Sequence, residues 1–116
     1  MSTITFKIIT DYHQINNVKK SCIITINPER SVEDLKDVVL SELFPNDPKF
    51  YRVEEWFNNS TRSKIVFKGA EKISDLGIQD RRIVQNAILT KGGGRKFIEV
   101  RWQCNATLTD VNFLIN

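Results

Sequence analysis

Ser21-Cys22-Ile23-Ile24-Thr25-Ile26-Asn27-Pro28-Glu29-Arg30-Ser31-Val32-Glu33-Asp34-Leu35-Lys36 passes from one periodicity to another within a single short stretch. Cys22, Ile24 and Ile26 alternate, the period of a strand with one buried face. Asn27-Pro28 closes that run. Ser31 is placed to accept a hydrogen bond from the first turn of a helix, and Asp34 favours the positive end of its dipole. Val32, Leu35, Val38, Val39 and Leu43 then recur at spacings of three and four, the stripe of an amphipathic helix lying on a sheet. Phe44-Pro45-Asn46-Asp47-Pro48 stops it, because a residue before proline is driven out of the helical region.

Working outward, Ile4, Phe6 and Ile8 alternate within residues 3–10, and a polar turn containing Asp11, Asn16 and Asn17 connects them to residues 21–26. The chain thus opens with a β-hairpin. Phe50-Tyr51-Arg52-Val53-Glu54-Glu55-Trp56-Phe57 is aromatic and β-branched enough for a third strand, ended by Asn58-Asn59-Ser60. Lys64 to Gly69 reads as a short fourth strand, Ile73 to Ile78 as one helical turn capped by Ser74 or Asp75 and closed by Gly77, and Ile83 to Leu89 as a fifth strand. A hairpin, a crossing helix and strands that return to the same sheet, with the first and fifth adjacent near its centre, define an α+β domain of β-grasp architecture.

The chain resembles ubiquitin and the ubiquitin-like proteins over residues 3 to about 93. Lys20 to Lys36 matches ubiquitin's second strand, proline-containing turn and helix start without a gap, with Pro28, Ser31, Val32, Glu33, Leu35 and Lys36 in register. Ile73-Ser74-Asp75-Leu76-Gly77-Ile78-Gln79 is similar to the family's Leu-Ser-Asp-Tyr-Asn-Ile-Gln turn. The 12 residues from Asp80 to Lys91 equal in number those before ubiquitin's terminal glycines. The resemblance implies a ubiquitin-like fold, with a mixed sheet and one main helix packed on it, and a protein that acts through contacts with other proteins.

Three departures qualify it. The segment between helix and Ile65 is longer than in ubiquitin and admits two registers. In one, Ile65-Val66-Phe67-Lys68-Gly69 stands for the family's Leu-Ile-Phe-Ala-Gly, so Val66 would centre the partner-binding patch with Ala87 beside it. In the other, Tyr51-Arg52-Val53 is the third strand and Ile65 to Gly69 a later one, as in ubiquitin-like subunits of bacterial type VII secretion systems; the β-prone run Tyr51 to Phe57 favours this second register. Leu89 stands where ubiquitin carries the arginine read by its activating enzyme, so any activating enzyme here would be a different one. Finally, 22 residues, Arg95 to Asn116, follow the glycines.

Gly92-Gly93-Gly94 has two readings. As a conjugation signal, residues without a β-carbon let the chain lie extended in narrow enzyme channels; the resemblance then implies a modifier precursor cut after Gly93 or Gly94, with a processing protease and activating and conjugating enzymes as partners. As structure, Lys91 to Arg95 is a glycine-rich hairpin loop, because Ile98, Val100 and Trp102 alternate with polar residues in a sixth strand. Thr107 to Ile115 could add a further apolar segment. The corresponding organisation is a ubiquitin-like domain over 1–91, a glycine linker or turn at 92–94 and a C-terminal β extension over 95–116.

The 116 residues, 41% hydrophobic with 5 Gly and 3 Pro, suit one globular core that folds without disulfides or metal. Cys22 and Cys104 match no zinc or redox spacing and read as reduced thiols, hence a cytoplasmic protein. The N-terminus reads as no signal peptide, and no apolar run is long enough to span a bilayer, so no membrane is expected. The glycosylation-type triplets at Asn58, Asn59 and Asn105 then carry no meaning.

The net charge of +3 conceals an asymmetry: residues 1–61 carry 7 basic and 9 acidic side chains, residues 62–101 carry 10 and 4. Arg81, Arg82, Lys91, Arg95, Lys96 and Arg101 could attract nucleic acid, though a solvated basic face is the better reading in the absence of a recognition motif. No catalytic constellation is present. His13, the single histidine, has no ligand spacing around it, the glycines lack the context of a phosphate loop, and Glu54 and Glu55 point to opposite faces of a strand. Trp56 and Trp102 read as core or interface. The expectation is a non-enzymatic, cofactor-free and metal-free ubiquitin-like protein, either a modifier or an unconjugated interaction or scaffold module, with Val66, Ala87, Leu89, Arg81 and Arg82 as candidate contact residues.

Overall fold

A computed structural model describes residues 2–10, 21–46, 48–89 and 97–109. The elements are β1 (Ile4–Thr10), β2 (Ser21–Ile26), α1 (Val32–Leu43), a 3₁₀ turn (Pro48–Phe50), β3 (Tyr51–Asn58), β4 (Ser63–Val66), a second 3₁₀ turn (Ile73–Leu76), β5 (Arg82–Leu89) and β6 (Ile98–Thr109). One helix packs on a six-stranded mixed sheet of order β2-β1-β5-β6-β3-β4, an α+β architecture compatible with a β-grasp.

The opening stretch folds as its periodicity dictates. Cys22, Ile24 and Ile26 are buried, β1 and β2 pair antiparallel, and the Ser31 Oγ accepts the Asp34 backbone N–H at 3.1 Å to cap α1. One member of the expected stripe is misplaced: Val38 is 38% exposed and Leu40 buried in its stead. A helix rolled slightly on its sheet exchanges these flanking positions without altering the spacing of three and four.

Of the two registers for the middle of the chain, the second is realised. Tyr51–Asn58 is the third strand and Ser63–Val66 a separate short one, joined antiparallel to it. The third strand starts one residue later than Phe50, which belongs to the 3₁₀ turn and packs edge-on against Tyr51. Tyr51 in turn stacks on Phe44 at 3.7 Å between ring centroids, tying the end of α1 to the start of β3. The turn at Ile73–Leu76 has Lys72 at its N-cap, and the expected caps Ser74 and Asp75 lie inside it; from the third position the Asp75 carboxylate reaches back to accept the Lys72 N–H at 2.8 Å, and Gly77 closes the turn in the left-handed region at φ 68°.

β5 lies parallel to β1, as expected of the first and fifth strands. The larger finding is the position of β6. It pairs antiparallel with β5 on one side and parallel with β3 on the other, so the part of the C-terminal extension that forms β6 is an interior strand of the same sheet. Val100, Trp102 and Cys104 point into the core beside Trp56, and Trp102 is wholly buried. The strand is also longer than its alternation indicated, running on to Thr109.

Candidate functional site

The face of the sheet opposite α1 carries most of the candidate residues, and their positions follow from register. Ala87 on β5 lies opposite Arg101 on β6, Arg101 opposite Glu55 on β3, and Glu55 opposite Val66 on β4. Val66 and Ala87 therefore stand three strands apart, about 14 Å at the usual strand spacing. The ubiquitin-type patch, with the two side by side, is not assembled, because β6 and β3 lie between them. A charged centre takes its place. The Arg101 guanidinium donates to Glu55, and the Lys64 ammonium lies 3.8 Å from the other Glu55 oxygen. Val66, 53% exposed, borders this cluster.

Leu89 closes the β5–β6 ladder opposite Glu99. Arg81 and Arg82 sit at the other end of β5. Arg81 is exposed, adopts φ 61°, and its N–H donates to the Thr5 carbonyl at 2.6 Å; Arg82 is half-buried and donates to Gln79 at 3.0 Å. Arg82 and Leu89 are the two ends of β5, and Val66 stands three strands away on β4, so the five candidates do not form one surface. Gly92, Gly93, Gly94, Lys91, Arg95, Lys96 and His13 lie outside the described residues. Of the remaining basic residues, Arg101 and Lys64 share Glu55 and Lys72 pairs with Glu29 at 3.3 Å, so part of the basic run is neutralised locally.

Two grooves flank α1. One, about 760 Å³, lies between the helix and the start of β3 and is lined by Asp37, Leu40, Lys49, Tyr51 and Arg52 among others. The other, about 370 Å³, runs along the outer edge of β2 and is lined by residues 21–25 together with Val38 and Glu42 of α1. β2 and β4 are the two ends of the sheet. Their outer backbone groups have no strand partner among the described residues, the arrangement that lets an edge accept another strand.

The loop from Lys68 to Lys72 is held by one carboxylate. Glu71 accepts the Lys68 N–H at 2.8 Å and the Gly69 N–H at 3.0 Å, while its carbonyl accepts the first N–H of α1, from Val32. The Lys68 N–H, with smaller help from Gly69 and Lys36, holds the Glu71 carboxyl below the usual carboxylate range. Cys22 and Cys104 are buried thiols in one register row, Cys22–Ile8–Val84–Cys104, again three strands apart and beyond disulfide reach. Burial pushes the Cys104 thiol up, opposed by the charge of Arg82. Such thiols are poor nucleophiles.

No protein-family model matches this chain, and neither a curated protein nor a solved structure matches it. Sequence reasoning missed the Arg101–Glu55–Lys64 cluster, whose members come from three strands and up to 46 positions apart, and for which no local signal exists. It also missed Val38 as a surface residue.

Proposed function

We propose that the protein is an unconjugated interaction or scaffold module of ubiquitin-like, β-grasp type, working at full length in the cytoplasm through its sheet edges and open face. It performs no catalysis. The observation carrying this reading is the interior position of β6: Trp102 and Val100 belong to the core, and β5 and β3 meet only through that strand. Cleavage after Gly93 or Gly94 would remove it and leave two interior edges bare. A modifier needs its domain intact after maturation, whereas an unconjugated module keeps β6 between β5 and β3. Cys22 and Cys104 stay reduced in that compartment.

The test is the intact mass of the protein from its native cells. A mass ending at Asn116, with no larger covalent adducts, is the expected result; a species ending at Gly93 or Gly94 overturns the reading and restores the processed modifier.

A further inference from the structure

β4 is shorter than the strand it pairs with. Its ladder covers β3 from Asn58 back to Glu55, and the last contact is the Phe67 N–H donating to the Glu54 carbonyl at 2.9 Å. Beyond that point the chain turns away: the Glu71 carboxylate holds Lys68 and Gly69, and the Glu71 carbonyl ties the loop to the start of α1. Arg52 and Val53 are left with β6 on one side and, among the described residues, no strand on the other. The groove of about 760 Å³ lies at this gap. Tyr51 and Val53 line it from the face that packs under α1, and Arg52 and Glu54 line it from the opposite, exposed face. Successive side chains of a strand point to opposite faces, so a cavity that reaches both must pass around the strand's edge.

The opposite wall is one stripe of α1, Glu33, Lys36, Asp37, Leu40 and Ser41, at the helical spacing of three and four. Leu40 with Tyr51 and Val53 makes the floor apolar, and the charges around it are only partly matched. Glu33 accepts from Lys36 at 2.9 Å, and the Arg52 guanidinium lies over the Phe97 ring. Asp37, Glu54 and Lys49, by contrast, form no ion pair among the described residues. Phe44, which caps the end of α1, stacks on Tyr51, so the helix runs against β3 along the groove. Lys49 therefore marks the Tyr51 end, and Asp37, about two helical turns before Phe44, lies towards the Glu54 end. We propose that this gap takes an extended peptide of a partner protein as an added strand, antiparallel to β3 and in line with β4. Its central apolar residue sits on Leu40, Tyr51 and Val53, a basic residue near its N-terminal end faces Asp37 and Glu54, and an acidic residue near its C-terminal end faces Lys49. The open edge is about three residues, or about 10 Å, long, so the contact is short and its binding reversible.

The inference rests on the reading of the chain as a full-length contact module, and the two fail separately. An intact mass ending at a glycine ends that reading; a peptide titration decides this one. The probe is the end-blocked peptide Thr-Lys-Val-Val-Thr-Glu, added to the isotope-labelled full chain and followed by NMR. The amide resonances of Asp37, Leu40, Arg52 and Val53 move, and those of Ile23 and Thr25 on β2 stay in place. The charge-swapped peptide Thr-Glu-Val-Val-Thr-Lys binds more weakly. In the double variant Asp37→Lys with Glu54→Lys, at two exposed sites whose circular dichroism melt reports an intact fold, that order reverses. The first peptide then loses about tenfold in affinity. Of two further probes N-methylated on alternate residues, one keeps its binding and the other loses it, because an added strand turns only every second amide towards its neighbour. The proposal is overturned by the absence of shifts at millimolar peptide, by shifts centred on β2 and Val38, by equal binding of the two charge orders or of the two methylated probes, or by a double variant that binds as wild type does. It is equally overturned if the resonances at the gap move with protein concentration alone, which would place a second copy there.

Discussion

Trp102 donates its indole Nε1–H to the Asn86 side-chain oxygen at 3.1 Å, and the two residues stand directly opposite in the β5–β6 ladder, wholly buried. A polar pair inside an apolar core satisfies its hydrogen bond in one register only; slipping β6 by one residue would turn Trp102 to the open face and strand both groups.

Replacing Asn86 with alanine leaves the indole N–H buried without an acceptor, and should cost about 1–3 kcal/mol. Trp102→Ala removes the ring as well, including its edge contact with Phe67 at 6.3 Å, and should cost about 3–5 kcal/mol. Urea denaturation midpoints measure both; an Asn86→Ala midpoint equal to wild type would show that the pair does not hold the register.

A chain ended after Gly94 lacks β6 and exposes the facing sides of β5 and β3. The expected outcome is loss of cooperative thermal unfolding together with aggregation. A truncated chain that melts like the parent would instead place the whole of the fold's stability in residues 1–94.

The two thiols should react with a disulfide reagent only as fast as the protein opens, and in denaturant both should react at once. For Cys104 the sign of the pH effect follows from its raised value. The native state holds this proton more tightly than the unfolded state, so the stabilisation is complete below the unfolded thiol value of about 8.5 and declines as pH rises through the folded value. Cys104→Ser should flatten that alkaline slope in a series of urea melts.

Glu71 shifts the other way. Its lowered carboxyl means that the loop's hydrogen bonds persist above the ordinary glutamate value and are lost as pH falls through the folded one. In an NMR titration the Lys68 and Gly69 amide resonances should move together with the Glu71 carboxylate, and Glu71→Gln should abolish the coupled movement. Removing the helix cap with Ser31→Ala should cost about 1 kcal/mol, read from the same melts.

Residues 21–36 were legible because strand alternation, the Ser31 cap and the helix stripe are all local. Tyr51–Asn58 was legible for the same reason, through its β-branched and aromatic content. What escaped is what depends on partners distant along the chain. The alternation of Ile98, Val100 and Trp102 indicates a strand but carries no information on which neighbours it takes, and so the insertion of β6 between β5 and β3 could not be read. The Val66–Ala87 patch failed with it, since its geometry presupposes those two strands in direct contact. Val38 escaped for a subtler reason: spacing of three and four marks a face about half the helix wide, and the roll of the helix decides which border residue is covered.

The interior place of β6 also bears on how the protein comes into being. Synthesis proceeds from the N-terminus, so β1, β2, α1, β3, β4 and β5 are all made before the strand that joins them exists. Until then β5 and β3 display bare edges and the cavity meant for Trp102 stands unfilled. The nascent chain must therefore wait, as two incomplete sheet fragments, for its last segment to emerge, and the half-made protein is the form on which chaperones have most to act.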